Sequence, residues 1–188
     1  NLALDAISSS KNNLNDKFIS YLGMIREENS RMLSQVENIL RISQLEKSSN
    51  PFDMEETNIH EVIEDALEHV KLIVESKKGS IKLFLKAENY NIKGNSNHLE
   101  NIIINILDNA VKYSEENPQI VISSINSNKD IILCVEDNGI GMDNNTQKMI
   151  FEKFYREQNG NIHNIKGHGL GLSYVKKIID FHNGKILL

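Results

Sequence analysis

Apolar positions along the chain follow two different rhythms, and the change between them divides it. From Lys17 to Glu46 they recur every three or four residues: Phe18, Leu22, Ile25, Met32, Val36, Ile39, Ile42 and Leu45, with Met24, Leu33 and Leu40 beside them. That spacing predicts one long helix with a single apolar stripe. Leu2, Ala3, Leu4, Ala6 and Ile7 read as the end of an earlier helix, and Ser8 to Asn13 as the loop between the two. Two helices so joined form an antiparallel hairpin. A lone hairpin cannot bury both stripes, so a second copy is the simplest partner.

Lys47 to Glu56 is polar, and Pro51 within it cannot continue a helix. Beyond this hinge the rhythm is mixed. Met54 to Thr57 suggests a short strand and Asn58 to Glu75 an amphipathic helix. Ser80 to Ala87 alternates as a strand, another short strand precedes Gly94, and Asn97 to Ser114 is a helix. Gln119 to Asn126 and Asp130 to Asp137 make a hairpin with Ser127 and Asn128 at its turn. A short helix covers Asn144 to Ile150, an Asn-rich loop runs from Tyr155 to Gly167, and a last helix spans Leu170 to Phe181. Ile186 to Leu188 reads as the beginning of another strand. Ile131 to Val135 is a continuous apolar run and is expected to be buried. Phe151 and Phe154 are expected to anchor the base of the polar loop in the core. No internal repeat is visible.

Bulk composition narrows the function. A formal net charge of −5 argues against a general nucleic-acid-binding surface. Cys134 is the single cysteine, so an intrachain disulfide is impossible. No apolar run is long enough to span a bilayer. The first residue is Asn1, inside an apolar pattern, so the sequence reads as a piece of a longer protein.

Three segments carry candidate chemistry. Asn105 and Asn109 are four apart and share a helical face, with Lys112 and Tyr113 close by. A carboxamide oxygen is a hard ligand, suited to a Mg²⁺ that also binds phosphates, and Lys112 adds a point charge. An exposed polar stripe would show the same spacing. Asp137 ends the apolar run and is followed by Asn138-Gly139-Ile140-Gly141-Met142. A carboxylate at a pocket floor accepts from the N6 amine of adenine and repels O6 of guanine, while the two glycines bring bare backbone beside the ring. A strand-ending Asp-Gly turn is the plain alternative. Gly167-His168-Gly169-Leu170-Gly171-Leu172 opens the last helix, where free amides suit phosphate. It is not a P-loop, because no Lys-Ser or Lys-Thr follows the glycines. Arg156, after Phe151-Glu-Lys-Phe154-Tyr155, is placed to reach a phosphate, although an isolated arginine is more often simply exposed.

NIIINILDNAVKYS, VEDNGIGM, FEKFYRE and GHGLGL resemble, in order, the N box, first glycine box, F box and second glycine box of sensor histidine kinases, members of the GHKL ATP-binding superfamily. The resemblance covers Phe52 to Leu188, and the preceding hairpin resembles that family's dimerisation and phosphotransfer helices. It implies an α+β fold, a two-layer sandwich of mixed sheet on helices. A helical hairpin that dimerises as a four-helix bundle would precede it. The implied division is a partial hairpin over residues 1–46, a linker over 47–57 and a catalytic ATP-binding domain over 58–188.

The roles it implies are Mg²⁺ coordination by Asn109 with Asn105 in support, and phosphate contacts by Lys112 and Tyr113. Asp137 would bind the adenine amine beside Gly139, Ile140 and Gly141. Arg156 would approach the γ-phosphate. Lys166, Gly167, His168, Gly169, Leu170, Gly171 and Leu172 would form the ATP lid. Asn105, Lys112 and Arg156 would be the catalytic set. The implied activity is that of a protein-histidine kinase, with a response-regulator receiver domain as partner, in the bacterial cytoplasm and with a parent anchored in the inner membrane.

One departure matters. All six histidines, His60, His69, His98, His163, His168 and His182, follow the hairpin, so the phosphoacceptor is expected upstream of Asn1. His168 fills a variable slot of the glycine box and is not a nucleophile, and His98 stands where many relatives carry an acid. The alternative reading is a GHKL ATPase that hydrolyses ATP to drive conformational change. Such enzymes place Glu where this chain has Asn105, and an amide cannot take a proton from water.

Overall fold

The computed structural model describes residues 16–47, 53–114, 116–156 and 169–188. The chain divides into two compact units, one ending at Ser49 and the other beginning at Asn50.

In the first unit, α1 (Asp16–Lys47) is one unbroken helix of 32 residues. Phe18, Ile25, Met32, Val36 and Ile39 of its stripe are all exposed, as are Met24, Leu33 and Leu40 beside it. A single helix has nothing of its own to bury such a stripe against. The other arm of the expected hairpin lies outside the described residues.

The second unit begins with β1 (Glu55–Asn58), and α2 (Ile59–Ser76) follows directly. Asn58 is the cap of that helix, not its first turn. Its Oδ1 accepts from the amides of His60 and Glu61, and its Nδ2 donates to Glu61 Oε1 at 2.8 Å. Ile59, Val62, Ile63, Ala66, Val70 and Val74 form the buried stripe. β2 (Ser80–Leu85) and β3 (Asn91–Gly94) lead to α3 (Ser96–Lys112), capped by Asn95 through the His98 amide. α3 buries Leu99, Ile102, Ile103, Leu107, Ala110 and Val111. The hairpin of β4 (Gln119–Ser127) and β5 (Asp130–Asp137) is followed by α4 (Asn144–Met149) and α5 (Gly171–Phe181).

The main sheet has the order β2-β4-β5, with β2 parallel and β5 antiparallel to β4. β1 and β3 form a separate antiparallel pair. Alternation puts Ile120, Ile122 and Ser124 of β4 on the inner face, all buried. The α2, α3 and α5 stripes supply the rest of the core, giving the expected α+β arrangement of mixed sheet on helices. The one hydroxyl in the middle of this face is satisfied: Ser124 Oγ lies 2.8 Å from His60 Nε2 and accepts from the Ala87 amide.

Three expectations change. The β4–β5 turn is Asn128-Lys129, one residue later than the sequence suggests, with Asn128 at φ +57. Ser127 therefore pairs with Asp130, and the left-handed position falls on an asparagine that tolerates it. Second, Ile131–Val135 is not a buried strand. It alternates half-buried and exposed, Ile132 being 44% accessible, because among the described residues β5 is an edge strand with one face open. Third, Ile186–Leu188 joins no sheet among the described residues, and Leu187 is 89% exposed.

Candidate functional site

The carboxylate expected to accept from the base sits where β5 stops. Asp137 pairs with Ile120 in the last rung of the ladder. Its side chain is exposed, not sunk at a pocket floor, because this rung is the last of the ladder and the chain leaves the sheet directly after it. Oδ1 accepts from the Gly139 amide at 2.8 Å, which leaves Oδ2 open among the described residues. Immediately afterwards the Ile140 amide donates to the Tyr113 carbonyl at 3.1 Å, tying the turn to the end of α3. Gly139 is required by proximity. A Cβ there would stand 2.7 Å from Asp137 Oδ1 and 3.0 Å from the Tyr113 carbonyl oxygen. Gly141 is required by conformation, with φ +69 in open space. Asp137, Gly139, Ile140, Gly141 and Tyr113 are thus gathered at one place.

The amide face of α3 forms the second part. Asn105 and Asn109 are both half-buried. Asn105 Nδ2 donates to the Asn101 carbonyl at 2.7 Å, one turn back. Its Oδ1 lies against Gly171, where an added Cβ would approach to 2.6 Å. This contact joins the N-box helix to the first residue of α5. The Asn109 side chain makes no hydrogen bond among the described residues, so its oxygen is the uncommitted hard donor on this face. Lys112 is not free: its ammonium pairs with Asp108, one turn before it.

α5 begins without a side-chain cap, so the amides of its first turn remain available to an anion. Gly169 takes φ +66, and its carbonyl accepts from the Phe154 amide at 2.8 Å. Phe154 differs from expectation. It is 62% exposed and holds φ +64, while Phe151 is half-buried. The bond to Gly169 fixes the main chain of Phe154 in a conformation that aims its ring outward, so only Phe151 contributes to the base of the loop. Leu170 is buried, Leu172 is half-buried, and Arg156 is exposed. Lys166, Gly167 and His168 lie outside the described residues.

No three His, Cys, Asp or Glu side chains converge among the described residues. A divalent ion here would be held by carboxamide oxygen and by oxygens of its own ligand. That donor set fits Mg²⁺, which needs few protein ligands when phosphates complete its shell.

Several participants were not singled out from sequence. Asp108 could have been, since Asp at i and Lys at i+4 is a plain helical pairing signal. His98 Nδ1 lies 2.7 Å from the Tyr174 hydroxyl, so this departure from the family pattern forms a contact between α3 and α5. The Asn95 amide donates to His182 Nε2 at 3.3 Å, joining the same end of α3 to the C-terminal end of α5. Asp143 caps α4, and the bond from the Thr146 amide holds its carboxyl below the ordinary aspartate range.

The model of the family described as histidine kinase-, DNA gyrase B- and HSP90-like ATPase matches residues 94–188. Sensor protein RprX of Bacteroides fragilis is 38% identical over 166 residues, covering 87% of this chain and 32% of RprX. The chain thus spans about a third of the length of such curated relatives. Among solved structures, full-length ShkA in complex with AMPPNP aligns with TM-score 0.73 at 22% identity, covering 90% of this chain and 35% of ShkA. The histidine kinase ThkA, solved with the response regulator TrrA, aligns with TM-score 0.69 at 21% identity, covering 95% and 49%. These structural likenesses establish the fold. With the family match on residues 94–188 and the N-box, glycine-box and F-box positions on the elements just described, the chain belongs to the histidine kinase-, DNA gyrase B- and HSP90-like ATPase family and carries the ATP-binding domain of a sensor histidine kinase.

Proposed function

We propose that this chain acts as the kinase core of a two-component sensor, moving the γ-phosphoryl of ATP to a histidine and from there to an aspartate of a response regulator. The observation that carries the reading is the meeting of three boxes. The Asp137–Gly139 turn is bonded to the end of α3 at Tyr113, and the start of α5 rests on Asn105. In this reading Asp137 Oδ2 accepts from the adenine amine, and Gly139, Ile140 and Gly141 flank the ring. The first-turn amides of α5, from Gly171 and Leu172, face phosphate with Gly169 and Leu170. Asn109, supported by Asn105, would hold Mg²⁺, which supplies charge neutralisation across the phosphates. Lys112 would exchange Asp108 for a phosphate oxygen, and Arg156 would meet the γ-phosphate. Lys166, Gly167 and His168 would complete the lid.

In the transfer, a neutral imidazole nitrogen attacks the γ-phosphorus. The N–P bond forms as the bond to the β-phosphate oxygen breaks, and ADP leaves with that electron pair. Asn105 cannot deprotonate water, so hydrolysis is not favoured over transfer. None of the six histidines precedes His60, so the acceptor would be a hairpin histidine outside these residues. Residues 1–46 would belong to that hairpin, 47–57 to a linker and 58–188 to the catalytic domain. The exposed stripe of α1 suits a homodimer through the hairpin, and the parent would be a membrane-anchored sensor with this domain in the cytoplasm. No helix among the described residues is itself long and apolar enough to cross a membrane.

Titration calorimetry with Mg-ATP, Mg-GTP and ATP in EDTA tests the site. Binding should require the divalent ion and favour ATP, and equal affinity for both purines would overturn the reading. Label from γ-labelled ATP should appear as acid-labile phosphoprotein when a histidine-bearing phosphotransfer hairpin is supplied. Brisk ATP turnover without any such phosphoprotein would favour the ATPase instead.

A further inference from the structure

Asn138 stands between the proposed adenine acceptor and the glycine that holds it, and its side chain does what its main chain cannot. Ile120 is paired with Asp137, so Asn138 falls opposite Gln119. There the main chain leaves the sheet to make the Gly139 turn. The side-chain carbonyl completes the rung instead: Oδ1 accepts from the Gln119 amide at 2.7 Å. Nδ2 donates to the Asn117 carbonyl at 3.4 Å. The hydroxyl of Ser114, buried and donating chiefly to the Ala110 carbonyl at 2.6 Å, reaches the same Oδ1 at 3.5 Å. One carboxamide therefore gathers the end of α3, the turn before β4 and the first residue of β4. Asn117 in that turn holds φ +51 ahead of Pro118, a conformation that needs outside support.

Asn126 uses the same device at the far end of β4. Its Oδ1 accepts from the Asn89 amide at 3.0 Å, and its Nδ2 donates to the Asn89 carbonyl at 2.8 Å. Seven residues of strand, roughly 24 Å, separate it from the Gln119 rung. Asn126 makes similar bonds with no connection to the base site, and so serves as an internal control.

We propose that Asn138 is a positioning residue for base recognition. By closing the β4–β5 ladder with its side chain it frees the main chain to turn, and it sets the Asp137–Gly139 turn against Tyr113 so that Asp137 Oδ2 faces the base. This rests on the reading of Asp137 as the adenine acceptor.

The test is calorimetry of the 188-residue chain with Mg-ATP and with Mg-GTP, on the wild type and on Asn138→Ala, Asn138→Asp and Asn126→Ala. Asn138→Ala should raise the Kd for ATP about tenfold while changing that for GTP by less than about twofold, the loss of one well-made hydrogen bond appearing only where the base is read. Asn138→Asp keeps the acceptor for the Gln119 amide and should stay within about threefold of wild type for ATP. Asn126→Ala should lower the melting temperature without moving the ATP-to-GTP ratio. Equal weakening of both nucleotides by Asn138→Ala, or no rescue by Asp, would make the role merely structural and overturn the proposal. A wild-type preference for ATP left unchanged by Asn138→Ala would also overturn it. A wild type without any preference sinks the Asp137 reading itself. If Asn138→Ala does not fold, Asn138→Leu, similar in size and without an acceptor, replaces it under the same criterion.

Discussion

The two ends of the candidate cleft are prepared in opposite ways. At the base end, Asn138 accepts from the Gln119 amide and the Ile140 amide donates to the Tyr113 carbonyl, both partners distant in sequence, while the Gly139 amide holds Asp137 Oδ1 and leaves Oδ2 open among the described residues. At the phosphate end, Asn105 is bonded to the Asn101 carbonyl and Lys112 to Asp108, each one turn away on the same helix. The first arrangement is preorganised. The second is satisfied without a ligand and must exchange partners to bind one. Selectivity for the base is then a property of the resting protein, whereas triphosphate binding pays for partner exchange and depends more on what the ligand brings.

The largest effect should come from Asn109, whose carboxamide makes no hydrogen bond among the described residues. Asn109→Ala is expected to weaken Mg-ATP by about a hundredfold or more, because losing even a group that only hydrogen-bonds a metal ligand costs about 10–100-fold. Calorimetry in Mg²⁺ and in EDTA checks it: the variant and the wild type should converge in EDTA. If the variant keeps its Mg²⁺-dependent affinity, Asn109 is no ligand and the asymmetry loses its phosphate half.

Next comes Asp137→Asn. An amide can turn either its donor or its acceptor toward a base, so preference for ATP over GTP should collapse. We expect a loss of about 10–100-fold in the ratio, below what a fully buried acceptor achieves because this carboxylate is exposed. Gly139→Ala should reproduce part of this, since its Cβ would crowd Asp137 Oδ1 and the Tyr113 carbonyl. A ratio unchanged in both variants would remove the base half of the comparison.

The same asymmetry explains what the sequence made legible. The phosphate end is built within one helix, so spacing reveals it: Asn105 and Asn109 share a face by counting, and so do Asp108 and Lys112. The base end is built across elements. That Asp137 ends the strand could be read, but its exposure follows from where the sheet stops. Asn138 looked like a turn residue because the missing amide it serves, Gln119, is 19 positions away. The Ile131–Val135 run shows the same limit, since apolarity was visible but the open face depends on neighbouring strands. Phe154 is a third case, its left-handed backbone set by a carbonyl 15 residues later. Within the described residues, the helix bounds expected from sequence lie within one or two residues of those observed, and the differences at Asn58 and Asn95 are caps.

A smaller effect of opposite sign is expected at Asp108. Asp108→Asn removes the partner that Lys112 must leave. An i,i+4 surface pair contributes about 0.3–0.5 kcal/mol, so Mg-ATP should bind about twofold tighter. The gain should fade as salt rises, because salt already screens the pair in the wild type. Weaker binding by Asp108→Asn, measured at low salt, would mean that the pair orients Lys112 toward phosphate and does not compete with it.

The finest test concerns the outer anchor of the base end, the cap of α4 at Asp143. Bonds from the Thr146 amide and hydroxyl favour the charged carboxylate, so its folded pKa lies below the ordinary 3.8. A group depressed on folding stabilises the folded state above its unfolded pKa, and that contribution is lost as pH falls through the folded value. The cap should therefore persist through the neutral range and loosen only below pH 3.8. The amide proton shift of Thr146, followed by NMR from pH 6 downward, should titrate with a midpoint below 3.8. Asn is an equally good cap, so Asn in place of Asp143 should abolish that titration while leaving α4 and ATP affinity in place. A midpoint at or above 3.8 would mean the bond is not held in solution. The turn between Gly141 and α4 would then rest on the Ile140–Tyr113 bond and on the bond from Gln147 Nε2 to the Met142 carbonyl, and the base end would be less preorganised than its hydrogen bonds imply.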